Sequence, residues 1–250
     1  MWRFMNASVI GTSHQDNETY CQDHHHVEQI WVEKQSYLLV IVADGAGSAL
    51  KGGQGSALAC HALSTSLKQQ LAIAKTLNQT LVEQSLVYAR ELLQQQAQAN
   101  DLYLRDYATT VLGVIVGQQQ ALCFQIGDGA IVASVNGYQG LVFWPDNGLY
   151  ANMTYFLTDD DYAQYLHVQL VEAALGEVAL FSDGLQRLAL SLETKTPFSP
   201  FFEPMFKALR HAQPQDCQLL NQHLAQFLAS DSVNKRTDDD KTLVLATRKV

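Results

Sequence analysis

Cysteine is scarce in this chain. The four present, Cys21, Cys60, Cys123 and Cys217, show no C-x-x-C spacing and read as reduced thiols of a cytoplasmic protein, three of them expected in helices or strands. Long hydrophobic runs are also missing. No stretch approaches the roughly 18 apolar residues of a membrane helix, and Met1-Trp2-Arg3-Phe4-Met5-Asn6 lacks the apolar core of a signal peptide. Positive charge is in short supply: 16 Lys and Arg against 25 Asp and Glu leave a net charge of −9. That balance argues against nucleic acid as a main partner and suits a site neutralised by divalent cations. Charged residues of both signs make up only 16% of the chain and hydrophobic ones 47%, so this is not a disordered chain. A chain of 250 residues buries one sizeable core, so a single domain over 1–250 is the simplest organisation.

What is abundant is a particular ending. Three apolar runs stop at Asp-Gly: Tyr37 to Ala43 at Asp44-Gly45, Ala121 to Gly127 at Asp128-Gly129, and Glu177 to Ser182 at Asp183-Gly184. A fourth acidic cluster, Asp238-Asp239-Asp240, precedes the apolar run from Thr242 to Ala246. Runs of this length read as buried strands. Asp-Gly is also a common turn signal, so each one alone is open to either reading. Gathered at one place, such carboxylates would bind a hard cation such as Mg²⁺ or Mn²⁺.

The rest of the pattern comes in blocks. Short β-type runs fall at 6–11 and 26–33, with a strong strand at 37–43. Helical spacing follows Gly52-Gly53-Gln54-Gly55 through Ala57, Leu58, Cys60, His61, Leu63, Leu67 and Leu71. A second helix covers 77–99, with Leu81, Leu86, Val87, Leu92 and Leu93 inward. Four strands, 108–116, 121–126, 131–135 and 141–144, read as an antiparallel meander with a hairpin at Asn136-Gly137. Residues 145–165 are irregular. Strands at 166–173 and 177–182, helices at 201–211 and 215–229, and a strand at 242–248 complete the chain. Blocks rather than strict βαβ alternation favour an α+β layered sandwich, two packed and mainly antiparallel sheets with helices outside each.

The ordered set Gln22-Asp23, Asp44-Gly45-Ala46-Gly47, Gly127-Asp128-Gly129, Ser182-Asp183-Gly184 and Asp239-Asp240-Lys241-Thr242 resembles the metal-dependent serine/threonine protein phosphatases, the PPM family (type 2C). Gly11-Thr12-Ser13-His14 and the stretch from Asn147 to Thr158 are similar to a bacterial branch. The resemblance spans residues 11 to 246. It implies a four-layer α-β-β-α sandwich, two or three Mn²⁺ or Mg²⁺ ions, and hydrolysis of phosphomonoesters by activated water. It implies that Asp44 bridges two metals, that the Gly45 carbonyl ligates one, and that Asp183 and Asp239 complete the other. By the same resemblance Asp128 helps hold a weaker additional metal and Asp23 contacts metal-bound water. The implied partner is a phosphorylated protein, the substrate of a bacterial serine/threonine kinase.

Three positions depart from the family's pattern. Ala46 stands where better-known eukaryotic members carry the histidine proposed as general acid. Glu18 lies where a phosphate-binding arginine is usual, leaving His14 or Arg3 to supply positive charge. Asp240 replaces an asparagine, adding negative charge beside Asp239. The run His24-His25-His26 reads as a strand with solvent-facing imidazoles rather than a zinc site, since neighbours on a strand alternate faces. Asp159-Asp160-Asp161 reads as a solvated loop, and Trp144 and Tyr150 as packing or peptide contacts. Two other functions stay open at this point: a non-catalytic phosphoprotein-binding module and a phosphohydrolase of small molecules.

Overall fold

The computed structural model describes residues 1–16, 20–145 and 154–248. The chain runs β1 (Trp2–Val9), α1 (Thr12–Asp16), β2 (Asp23–Val32), β3 (Gln35–Asp44), α2 (Gly52–Ala74) and α3 (Gln79–Ala99). Next come β4 (Val111–Val116), β5 (Ala121–Ile126), β6 (Ala130–Val135), β7 (Tyr138–Leu141), β8 (His167–Val171) and β9 (Leu175–Phe181). After the 3₁₀ turn Asp183–Leu185 lie α4 (Gln186–Ala189), β10 (Leu190–Ser191), β11 (Thr196–Pro197), α5 (Ser199–His211), α6 (Cys217–Leu228), α7 (Asp231–Asn234) and β12 (Lys241–Arg248). The strands form two five-stranded sheets, β1-β12-β9-β6-β7 and β2-β3-β4-β5-β8, and a small β10-β11 pair. All pairings are antiparallel.

The continuous apolar runs follow from burial on both faces. In β3, Leu39, Ile41 and Ala43 pack with α2 and α3, while Leu38, Val40 and Val42 pack in the layer between the sheets. In β12, Val244 and Ala246 face that middle layer, and Leu243 and Leu245 join Phe202, Phe206 and Leu228 of α5 and α6. Three apolar layers therefore alternate with two sheets and two sets of helices, the α-β-β-α sandwich expected. A Leu-to-Ala truncation at Leu38 or Leu39, both fully buried, would cost about 2–5 kcal/mol.

Several local expectations change. The four central strands are not one meander. β4 and β5 pair with each other in the second sheet, and β6 and β7 pair in the first. Gly127-Asp128-Gly129 is the crossover between sheets, not a hairpin. Gly127 takes φ of 102°, and buried Gln125 donates from Nε2 to the carbonyls of Gly127 (3.0 Å) and Gly129 (2.9 Å). Asn136-Gly137 does make the hairpin, with φ of 52° and 83°, the left-handed pair a type I′ turn requires. Its second strand is Tyr138–Leu141, not 141–144. The first strand is Trp2–Val9 rather than 6–11. On α2 His61 faces solvent, and on α3 Val82 rather than Val87 joins the buried stripe with Leu86, Ala89 and Leu93. Cys60 and Cys123 are buried, whereas Cys21 and Cys217 are half-buried, and all four are free thiols.

Candidate active site

Antiparallel pairing brings the acidic strand ends to one edge of the sandwich. Asp23 opens β2 and sits opposite Asp44, the last residue of β3. Asp183 follows β9, Asp239 precedes β12, and these two strands are paired neighbours. Asp128 joins from the crossover. Asp44, Asp128, Asp183 and Asp239 line one open cleft of about 720 Å³, together with His14 and Gly45. A side pocket of about 270 Å³ shares Asp128, Asp183 and Asp239 and adds Gln186 and Arg236.

The backbone holds these groups rigidly. The Asp44 N–H donates to Thr110 Oγ1 (3.1 Å), and its carbonyl accepts from the Thr110 N–H (2.8 Å) and Thr109 Oγ1 (2.9 Å). At Gly45 a Cβ would stand 2.2 Å from the carbonyl of Gly52, so glycine is needed where the loop meets the start of α2. With its amide oriented to suit both partners, Gln22 donates to the carbonyls of Gly45 (2.9 Å) and Ala46 (3.2 Å). That bond uses one lone pair of the Gly45 carbonyl and leaves the other. Asp23 is buried and bridges the sheets: its Oδ2 accepts from Ser182 Oγ at 2.6 Å. Ser182 Oγ in turn accepts the Thr242 N–H at 3.0 Å.

The carboxylates crowd one another. Burial lifts Asp44 well above the usual range, and the charges of Asp23, Asp183 and Asp239 add to it. Burial also pushes Asp183 up to about 7, with help from Asp128 and Asp239. Asp23 rises to about 7, again by burial first, with the Asp240 charge adding. Asp239 is raised in the same way, by burial and then the charge of Asp240. Two oxygens, Asp23 Oδ1 and Asp183 Oδ1, are buried without a hydrogen-bond partner. Buried anions with orphaned oxygens are what a cation site looks like in its protein part. Among the described residues, no three His, Cys, Asp or Glu side chains close into a ready-made metal cage. What the cleft does offer is an all-oxygen donor set of carboxylates and a carbonyl, the kind that Mg²⁺ and Mn²⁺ prefer.

The departures from the family's pattern resolve unevenly. Asp240 is buried, and its carboxylate is engaged by the backbone: Oδ1 accepts from the Gly11 N–H (2.7 Å) and Oδ2 from the Gln22 N–H (2.5 Å). His14 lines the cleft with Nδ1 2.9 Å from Asp240 Oδ1. Arg3 is placed elsewhere. It pairs with Thr247, at the far end of β1, and its guanidinium donates to the Arg210 carbonyl. Glu18, Tyr150 and 147–153 lie outside the described residues. The three histidines hold no common site: His24 meets Ser56, His26 meets Glu28, and His25 is pinned between the sheets by Ser8 and Asn6, both 2.8 Å away. His25 is thus not solvent-facing. Trp144 lies under the Lys195 ammonium, 5.6 Å from the ring centroid. One cleft residue had no signal of its own. Arg187, four residues after Asp183 on α4, lines both cavities; a lone arginine on a short amphipathic turn reads as surface.

Comparison with known proteins decides the family. The profile described as Protein phosphatase 2C matches residues 10–229. The chain belongs to the protein phosphatase 2C family. Serine/threonine-protein phosphatase 3 of Escherichia coli (strain K12) is 41% identical over 247 residues, covering 98% of both chains. The catalytic domain of serine threonine protein phosphatase PstP, solved in complex with two manganese ions, superposes with a TM-score of 0.66 at 16% identity, over 100% of this chain and 99% of that one. A bacterial serine phosphatase gives a TM-score of 0.64 at 15% identity, with both chains wholly covered. The protein is accordingly a phosphatase of the 2C type, and the sandwich is that family's fold.

Proposed function

We propose that this chain removes phosphate from phosphoserine and phosphothreonine in proteins, using water activated at a pair of Mn²⁺ or Mg²⁺ ions. The observation that carries this reading is the convergence of Asp23, Asp44, Asp183 and Asp239 from both sheets at one edge of the sandwich, with two buried carboxylate oxygens unsatisfied. Bound cations would lower the pKa of a shared water and offset charge on the phosphoryl oxygens. Asp44, which lines the cleft together with Asp183 and Asp239, would help hold both ions. The free lone pair of the Gly45 carbonyl would complete one ion, and Asp183 with Asp239 the other. Asp23, fixed by Ser182, would orient metal-bound water. Asp128 would help hold a third, weaker ion at the mouth of the side pocket.

No serine or cysteine nucleophile is required, because the nucleophile is water. Ala46 offers no proton, so the leaving oxygen takes its proton from solvent or another group. His14, held through Nδ1 near Asp240, contacts the phosphate in this reading. All metal positions implied by the family are kept, which weighs against a non-catalytic binding module. We place the protein as one catalytic domain in the cytoplasm, acting on the product of a bacterial serine/threonine kinase. The reduced thiols support that compartment, and among the described residues no helix is long and apolar enough to cross a membrane.

The test is turnover of p-nitrophenyl phosphate and of a phosphothreonine peptide with Mn²⁺, with EDTA, and in Asp183→Asn. Activity is expected only with metal. Turnover that persists in EDTA would refute the metal mechanism.

A further inference from the structure

The cleft gathers carboxylates, yet its substrate is an anion, and position 18 carries glutamate where the family's phosphate-binding arginine is usual. Bound metal ions offset part of that charge in the reading above, and the described lining of the cleft holds His14 and one arginine, Arg187. Arg3 is ruled out by its place at the opposite end of β1. Arg187 is the arginine that lines both the main cleft and the side pocket. The 3₁₀ turn Asp183–Leu185 passes directly into α4. Arg187 therefore stands four positions after Asp183, roughly one helical turn further along the chain. The residue is exposed and, among the described residues, its guanidinium has no hydrogen bond or ion pair, although Asp128, Asp183 and Asp239 line the same cavities. A structural arginine in such surroundings would be expected to hold a carboxylate, as Arg210 does elsewhere in this chain.

We infer that Arg187 is the phosphate-binding guanidinium of this enzyme, delivered from α4 instead of from the segment before Asp23. It rests on the metal-dependent reading above. The planar fork accepts two phosphoryl oxygens at once and presents its charge from the Asp183 side of the cleft. Arg236, which lines only the side pocket, is a control cation of equal charge that stands one step further out.

The experiment compares wild type with Arg187→Ala, Arg187→Lys and Arg236→Ala. It measures Mn²⁺ binding by calorimetry, inhibition by inorganic phosphate, and kcat and KM for p-nitrophenyl phosphate, with thermal melts to confirm folding. In Arg187→Ala, KM and the phosphate inhibition constant are expected to rise about 10-fold, with Mn²⁺ binding as tight as in wild type or tighter. Arg187→Lys is expected to recover part of the loss, as a point charge without the fork, and Arg236→Ala to stay within about twofold. Unchanged phosphate inhibition and KM in Arg187→Ala, or full rescue by lysine, would overturn the inference while leaving the metal mechanism standing. A wild-type protein that binds neither Mn²⁺ nor phosphate would overturn both.

Discussion

The two ends of this sandwich treat charge in opposite ways. At the far end, Arg210 holds Glu177 through two bonds, Nε at 2.7 Å and Nη2 at 3.0 Å, and also reaches Glu203. Arg248 there covers Trp2 at 4.9 Å and donates to the Gln118 carbonyl at 2.8 Å. Every one of these charges has a partner and contributes to holding the fold. At the other end, Asp23, Asp44, Asp183 and Asp239 press together and outnumber the cations near them, Lys241 beside the acidic loop and Arg187 in the cleft, and their proton affinities rise. Repulsion there costs stability and is kept because the site needs it. The same strands carry both arrangements: Glu177 and Asp183 are six positions apart, one at each end of β9.

Mutations should break this contrast in graded ways. The largest effect is expected for Asp183→Asn, which should lower kcat with Mn²⁺ by roughly 10²- to 10⁴-fold. The same change should stabilise the metal-free protein by about 1–2 kcal/mol, because it removes one of the repelling charges. A melt of the metal-free variant below that of wild type would show that the carboxylates are not in conflict. Second in size is Lys241→Met. Lys241 is wholly buried and its ammonium donates to Asn234 Oδ1 at 2.8 Å, tying α7 to the strand beside the acidic loop. Losing that bond should cost about 2–3 kcal/mol, seen by denaturant unfolding.

At the far end, Glu177→Gln should cost about 1 kcal/mol and leave kcat and KM unaltered. An effect on turnover would mean that the two ends are coupled. The smallest change concerns pH. Burial, with the flanking imidazoles adding, lowers His25 from 6.5 to about 4. A histidine held neutral contributes stability that is present above its unfolded pKa. That stability is lost as pH falls from about 6.5 toward 4. Replacing His25 with asparagine should flatten this acid limb relative to wild type by about 1 kcal/mol; parallel curves for the two proteins would mean that His25 is not buried neutral.

The acidic end was largely legible in the chain itself. Asp44, Asp128 and Asp183 each close an apolar run, and the run fixes where the carboxylate must stand. The layering was legible as well, because block order and doubly buried strands leave few other packings. What stayed hidden depends on partners distant in sequence. Gly127-Asp128-Gly129 has the chemistry of a hairpin, and only pairing with β8 on one side and β9 on the other makes it a crossover. Asp240 does add its charge to Asp239 and Asp23, but the bonds that hold it come from Gly11 and Gln22, more than 200 positions away, and these the chain alone does not show. His25 read as exposed because a run of three histidines has no periodicity to show which face each takes. Arg187 carries no motif, and a lone arginine on a short turn gives no sign that it lines the cleft.

The acidic loop is wedged between two glycines. A Cβ on Gly11 would stand 2.3 Å from the backbone of 238–239, and one on Gly184 would stand 2.0 Å from the Asp240 carbonyl. Main chain here touches main chain from opposite ends of the sequence. The catalytic edge can therefore form only once the first and last strands have docked and the two sheets have closed. Phosphatase activity in this protein should then behave as an all-or-none readout of completed folding, absent from any intermediate in which a single sheet has formed, and cofactor uptake should mark the final closure rather than guide the early steps.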